Sequence, residues 1–147
     1  MLVNQILSLK GSGGAEVVTV ASTATVADAA KLLAEKRIGA VVVSDDGRKP
    51  VGILSERDIV RELGRQGAGI LSQPISKLMT RKVSTCGTGE DTLAVLERMT
   101  EGRFRHLPVV DDDGNMLGVV SIGDAVSARL KELSAEKEAL TGMIMGS

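Results

Sequence analysis

The sequence predicts an α/β (α+β) fold in which two pseudo-twofold-related β-α-β-β-α repeats pack through their sheets. Three observations predict it: a long internal repeat, apolar runs that alternate between strand and helix spacing, and an interior that has to be aliphatic. The last follows from composition. Of 147 residues 43% are hydrophobic, yet Phe104 is the single aromatic. The length suits one core of ordinary size, since single domains run to about 100–150 residues.

Self-similarity is visible when the halves are laid side by side. Residues 25–47, TVADAAKLLAEKRIGAVVVSDDG, match residues 92–114, TLAVLERMTEGRFRHLPVVDDDG, without a gap and 67 positions apart. One residue is then dropped, and residues 51–60, VGILSERDIV, match residues 117–126, LGVVSIGDAV, 66 positions apart. A short β-rich run opens each copy, at 17–20 and 83–86. A helix follows, with Val26, Ala29, Leu32 and Leu33 on one side in the first copy and Leu93, Leu96 and Met99 in the matching places of the second. Two apolar strands come next, 40–43 with 51–54 around Asp45-Asp46-Gly47, and 107–110 with 117–120 around Asp112-Asp113-Gly114. Asp and Gly supply the turn chemistry. A last helix closes each unit.

The chain thus divides into an N-terminal segment with the first repeat (1–66), a linker (67–76), a second repeat (77–133), and a C-terminal helix extension and tail (134–147). Gly64, Gly67, Gly69 and Pro74 make the connection read as part of neither repeat. Two helices and three short strands leave a sheet face uncovered, so the copies should pack together. Pseudo-symmetry then gives two equivalent clefts between them, which are places to look for a small molecule.

Charge and composition narrow the function classes. With 18 Lys+Arg against 19 Asp+Glu there is no global basic field to hold nucleic acid, and no aromatic platform on which bases would stack. Cys86 is the single cysteine and His106 the single histidine, so a disulfide within the chain is impossible and a metal site is not expected. Residues 1–10 read as neither signal peptide nor membrane span, and a cytoplasmic location is the expectation. The chain offers no nucleophile and base at a telling spacing, and no enzyme activity is expected.

The chemistry-bearing pattern is Ser-x-x-Asp at each second strand-to-helix junction, Ser55 with Asp58 and Ser121 with Asp124. Such a pair reads as a capping box, in which the hydroxyl accepts from a backbone N–H and the acid reaches back. A helix N-terminus also offers free N–H groups and a favourable dipole to an anion, and a carboxylate there accepts from ribose hydroxyls. The two readings are compatible. The tract Lys10-Gly11-Ser12-Gly13-Gly14 reads as a hinge or as a loop closing over a phosphate tail; it lacks the full phosphate-loop pattern, so hydrolysis is not predicted.

Two copies of G-h-h-S-x-x-D (h apolar), GILSERD and GVVSIGD, together with the strand motifs RIGAVVV and RFRHLPVV, closely resemble the cystathionine-β-synthase (CBS) domain family in the tandem form called a Bateman module. The resemblance spans nearly the whole chain. It implies a disc-like homodimer that senses adenosine-containing ligands such as AMP, ADP, ATP, S-adenosylmethionine or NAD(H). The family's ribose-binding Asp falls on Asp58 and Asp124, and its hydroxyl residue near the phosphate on Ser55 and Ser121. Its apolar adenine pocket maps to Val18, Ile38, Ala40 and Val119 for the cleft on Asp124, while Ile53 and the candidate cation Arg57 belong to the cleft on Asp58. The basic pair of some members matches Arg105-His106, where the first copy has Ile38-Gly39.

That asymmetry favours the Asp124 cleft, because phosphate suits arginine's fixed fork of donors with a second cation beside it. Arg105 has an alternative as a surface charge paired with Asp111 or Asp112, and His106 as an imidazole satisfied by a carbonyl. The expected function is an adenine-nucleotide sensor with no obligatory cofactor, its ligand AMP first, then ATP or ADP, or NAD(H). The expected partners are a second copy of the chain and a regulated protein, with neither nucleic acid nor membrane. The alternative is a ligand-free module that dimerises and scaffolds or regulates a partner. Val126, Leu130 and Leu133, with Leu140 and Met143 beyond, form a C-terminal stripe expected to pack across the dimer, or else onto another protein.

Overall fold

In a computed structural model, which describes residues 1–10 and 17–145, the first repeat takes the element order its periodicities predict, and the second takes it except for its first strand. The first comprises β1 (Thr19–Val20), α2 (Val26–Lys36), β2 (Ala40–Val43), β3 (Gly52–Ser55) and α3 (Glu56–Gln66), preceded by α1 (Val3–Leu9). The second comprises α4 (Thr92–Gly102), β4 (His106–Val110), β5 (Met116–Ser121) and α5 (Ile122–Met145). β1 pairs parallel with β2, which pairs antiparallel with β3, and β4 pairs antiparallel with β5. Cys86 takes the place of β1 in the second copy through a parallel bridge to Val109.

The structure moves the register of the repeat by one residue over residues 25–47. Thr25 caps α2 and Asp91, not Thr92, caps α4. Arg37 and Arg103 close these helices in the left-handed region, at φ 54° and 56°. Ala40 pairs with Ser55 as His106 pairs with Ser121. Each of these correspondences is 66 positions, so one offset runs through caps, helices and ladders. Only the turn glycines, Gly47 and Gly114 with φ of +75° and +84°, stand 67 apart, and a register shift between Val109 and Val110 absorbs the difference. The buried face of α4 is accordingly Thr92, Val95 and Met99, matching Val26, Ala29 and Leu33, while Leu93 is exposed. Thr92 is tolerated there because its hydroxyl donates to the Met1 carbonyl at 2.6 Å.

Each repeat is anchored by the segment that precedes the other. Ahead of the second repeat, Val26 N–H donates to Gln73 O, Ile75 N–H to Ala24 O and Ser76 N–H to Ser22 O. Ahead of the first, Thr92 N–H donates to Met1 O, Val3 N–H to Glu90 O and Asn4 N–H to Thr88 O. These are the same three bonds at equivalent places, so α1 belongs to the second repeat's core, where Val3 and Ile6 are buried with Cys86, Val95, Met99 and Leu107. The linker is likewise not a free connection. Its two short 3₁₀ turns, Ala68–Ser72 and Ile75–Lys77, bury Ile70 and Ile75 in the first repeat's core beside Val26, Leu33, Val41 and Leu54. Glycine and proline marked a change of direction there, but the two isoleucines decide the packing.

Candidate functional site

Both Ser-x-x-Asp pairs fold as capping boxes, and Ser55, Asp58 and Ser121 line the space between the repeats. Ser55 Oγ accepts from Asp58 N–H at 3.1 Å, and Asp58 Oδ2 accepts from Ser55 N–H at 2.9 Å and from its hydroxyl at 2.9 Å. Ser121 Oγ accepts from Asp124 N–H at 3.1 Å and Asp124 Oδ2 accepts from Ser121 N–H at 2.9 Å. The register that puts Ala40 opposite Ser55 and His106 opposite Ser121 carries the two β-hairpin edges to one cleft.

A cavity of about 880 Å³ lies in that cleft. The first repeat contributes Gly39, Ala40, Ile53, Ser55, Glu56, Arg57, Asp58 and Arg61 to its lining. The second contributes Phe104, Pro108, Ser121 and Ile122, together with the cations Arg103 and Arg105 and the imidazole of His106. The lead-in to the second repeat adds Thr80, Lys82 and Ser84, held against β3 because Ile53 and Thr80 exchange both backbone hydrogen bonds, at 3.0 and 2.9 Å. Gly52 permits that approach, since a Cβ there would meet Met79 Sδ at 2.5 Å and the Thr80 carbonyl at 3.2 Å.

The cavity therefore gathers Gly39, Ala40, Ile53, Ser55, Arg57, Asp58, Arg105, His106 and Ser121 from the residues the sequence singles out. Val18, Ile38, Val119 and Asp124 are not part of its lining. Val18 and Ile38 pack against the first repeat's core. Arg105 and His106, assigned by resemblance to the Asp124 cleft, open onto the cavity that holds Asp58. Arg61, Lys82 and Arg103 escape the sequence reading. Arg61 was findable as the cation three residues beyond Asp58, and Ser84 as the counterpart of Val18 at the common offset of 66.

The two carboxylates are neutralised in different ways. Arg61, one turn along α3, donates to Asp58 Oδ1 at 3.0 Å. The corresponding place on α5 is Ser127, and the cation at Asp124 is instead Lys10, whose Nζ lies 2.9 Å from Asp124 Oδ2 and donates to the Val119 carbonyl at 2.7 Å. Burial disfavours the Asp124 charge, but the Ser121 N–H and the Lys10 ammonium outweigh it and hold the carboxyl below its usual range. The remainder of the glycine tract, residues 11–14, lies outside the described residues. Burial also holds the His106 imidazole below its ordinary pKa, against the pull of Asp124 and Glu56. Its ring packs on Gly39, where a Cβ would approach it to 3.1 Å. Cys86 is buried, and desolvation pushes its thiol up to about 12, so it is no nucleophile in the native state. Among the described residues, no helix is long and apolar enough to cross a membrane, and no cluster of His, Cys, Asp and Glu suits a metal ion.

A paired repeat with a capping Ser-Asp at each strand-to-helix junction and a basic cleft between the copies defines a tandem module. The family model for the CBS domain matches residues 15–65 and 75–131, and the chain belongs to the CBS domain family. It is similar to a crystal structure of a CBS-domain containing protein from Agrobacterium tumefaciens, with a TM-score of 0.81 and 42% identity over 88% of this chain and 99% of that one. A CBS domain protein from Pyrobaculum aerophilum complexed with AMP matches at a TM-score of 0.73 and 28% identity, over 84% of this chain and 89% of that one. The CBS domain pair of protein MJ0100, in complex with 5′-methylthioadenosine and S-adenosyl-L-methionine, matches at 0.74 and 28%, over 93% and 98%. Among curated proteins, the mitochondrial CBS domain-containing protein CBSX3 of Arabidopsis thaliana is 37% identical over 83% of this chain, which spans 61% of that relative's length.

Proposed function

We propose that the chain is a non-catalytic sensor that holds an adenine nucleotide between its repeats and passes the resulting change in repeat packing to a partner. AMP is the first candidate, followed by ATP or ADP and by NAD(H). The observation that carries the reading is the cavity itself. It brings Ser55 and Asp58, at the N-terminus of α3, together with Arg103, Arg105 and Lys82 from the other half of the molecule. A carboxylate beside a helix N-terminus suits ribose hydroxyls next to a phosphate, and cations on the facing wall suit the phosphate charge. Relatives of similar fold complexed with AMP or with S-adenosylmethionine support the adenosine part of the reading. A ligand acts here only through its difference in affinity between two packings of the repeats.

Thermal unfolding against AMP, ADP, ATP, NAD, NADH, S-adenosylmethionine and GTP tests this, repeated with Asp58→Asn and Asp124→Asn, which keep an oxygen for the cap. A ligand at about a hundred times its Kd adds roughly 2.7 kcal/mol, a shift of several degrees in midpoint. Adenine compounds should produce that shift, GTP should not, and one or both Asn variants should lose it. No shift from any compound on a well-folded chain would overturn the sensor. The apolar side chains exposed on α3 and α5 would then favour the second reading, a dimeric scaffold without a ligand.

A further inference from the structure

Lys10 makes in the second repeat the contacts that in the first fall to backbone and to an arginine of the same helix, while Lys82, its counterpart in the other lead-in segment, lines the Asp58 cavity. In the first repeat, the peptide groups of Ile53 are taken by Thr80, and Asp58 is paired by Arg61. In the second, the carbonyl of Val119, the counterpart of Ile53, accepts from Lys10 Nζ at 2.7 Å, and the same ammonium lies 2.9 Å from Asp124 Oδ2. The backbone that leads to Lys10 is anchored, because α1 makes two backbone bonds to the second repeat, Met1 just ahead of it accepts a third, and Val3 and Ile6 are buried. Only the four-carbon stem of the side chain is free to move.

We infer that Lys10 is a selectivity device that makes the Asp124 cleft accept phosphorylated adenosines and refuse neutral or cationic ones. The inference rests on the nucleotide reading of the clefts given above. A nucleoside that engages both Asp124 Oδ2 and the strand edge at Val119 competes with the ammonium, which holds that carboxylate oxygen and that carbonyl. A 5′-phosphate gives the displaced ammonium a new anion within the same cleft, so the charge pairing is exchanged and not lost. A 5′-thioether offers no such partner, and a sulfonium adds a second cation beside the first. The ammonium thus penalises 5′-methylthioadenosine and S-adenosylmethionine relative to AMP, which carries the same adenosine. In the Asp58 cleft the carboxylate is paired by Arg61 of the same helix, and the facing wall already carries Lys82, Arg103 and Arg105, so the balance there does not turn on one lysine.

Titration calorimetry of the full chain with AMP and with 5′-methylthioadenosine tests this, in the wild type, Lys10→Met, Lys10→Arg, Asp124→Asn and the Lys10→Met/Asp124→Asn double variant. The expected result is a preference for AMP that falls about tenfold in Lys10→Met, the value of one charge-assisted contact, through tighter binding of the thioether compound. Lys10→Arg should keep the preference, and Lys10→Met should change nothing once Asp124 is Asn. If AMP binds and its preference is the same in Lys10→Met as in the wild type, the selectivity role is overturned while the sensor reading stands. If neither compound binds the wild type, the sensor reading fails and this inference fails with it.

Discussion

His106 shows what one side chain inherits from its place between two repeats. The 66-residue offset makes it the counterpart of Ala40, so the pseudo-twofold sets a large ring in one copy where the other has a methyl, and Gly39 clears the space the ring needs. The same position buries the imidazole, which lowers its pKa, while the carboxylates of Asp124 and Glu56 raise it and Lys10 and Arg105 lower it further. The native chain therefore holds His106 neutral at pH values where an unfolded chain, titrating at about 6.5, has begun to protonate. Because the unfolded state binds more protons in that window, stability rises with pH through it and is lost as pH falls below the unfolded value. Urea midpoints measured at pH 7.5 and 5.5 should fall on acidification in the wild type and change much less in His106→Asn. The carboxylates held low, Asp124 and Glu90 among them, keep their contribution in this range and lose it only at lower pH. Equal acid sensitivity in both proteins would remove His106 from the account.

At the scale of elements, the sequence made the order of strands and helices within the repeats legible, but it missed α1, expected a strand at 83–86 that is only a bridge at Cys86, and misplaced one boundary for a physical reason. Matching Thr25 to Thr92 and the two turn glycines to each other pulls the alignment to 67, because threonine and glycine carry strong local signals at caps and turns. Asp91 caps as well as threonine does, and the bulge after Val109 moves the turn without moving the strands. Once Asp91 is the cap, Thr92, Val95 and Met99 fall on the buried face and Leu93 on the exposed one. The Ser-Asp pairs were legible because they are local. The exchange of lead-in segments was not, since it depends on which core has room for Val3 and Ile6, and nothing near them in sequence says so. That exchange makes a prediction. Ile6 is 2% exposed and shares a core with Cys86, so Ile6→Ala should destabilise the second repeat by about 2–5 kcal/mol although it lies ahead of the first. The thiol reports on it directly. With its pKa pushed up to about 12, Cys86 should react with a thiol reagent only through opening of that core, and Ile6→Ala should speed the labelling strongly. Labelling at the wild-type rate would mean that α1 is not part of the second core's cooperative unit.

At the scale of the whole molecule, the apolar surface that the two cores leave over is concentrated on α3 and α5. Val60 and Leu63 on α3, and Val126, Leu130, Leu133, Leu140 and Met143 on α5, are each between 39% and 74% exposed. Val126, Leu130 and Leu133 follow one another at helical spacing, and α5, at 24 residues, runs about 36 Å, well past the sheet it caps. Burying such a side chain fully is worth roughly 1.5–3 kcal/mol against an association cost of about 4–15 kcal/mol, so several of these buried on each of two copies would offset that cost. An isologous contact uses the same patch twice, which suits a stripe on a terminal helix. We propose that two chains associate through these helices, and sedimentation should give a species of twice the 15.3 kDa chain mass. Replacing Val60 and Leu130 together by Asp, both on the outer surface and away from either core, should yield a folded monomer with an unchanged circular dichroism spectrum. The proposed dimer would bear on the proposed sensor, because α3 belongs to one repeat and α5 to the other, and a ligand that altered repeat packing would move one relative to the other. Nucleotide should then shift the dimer constant, and by linkage dimerisation should shift nucleotide affinity by the same factor. A wild type that sediments as one chain at all concentrations, with or without nucleotide, would assign the stripe to a different protein and make that contact the output of the module.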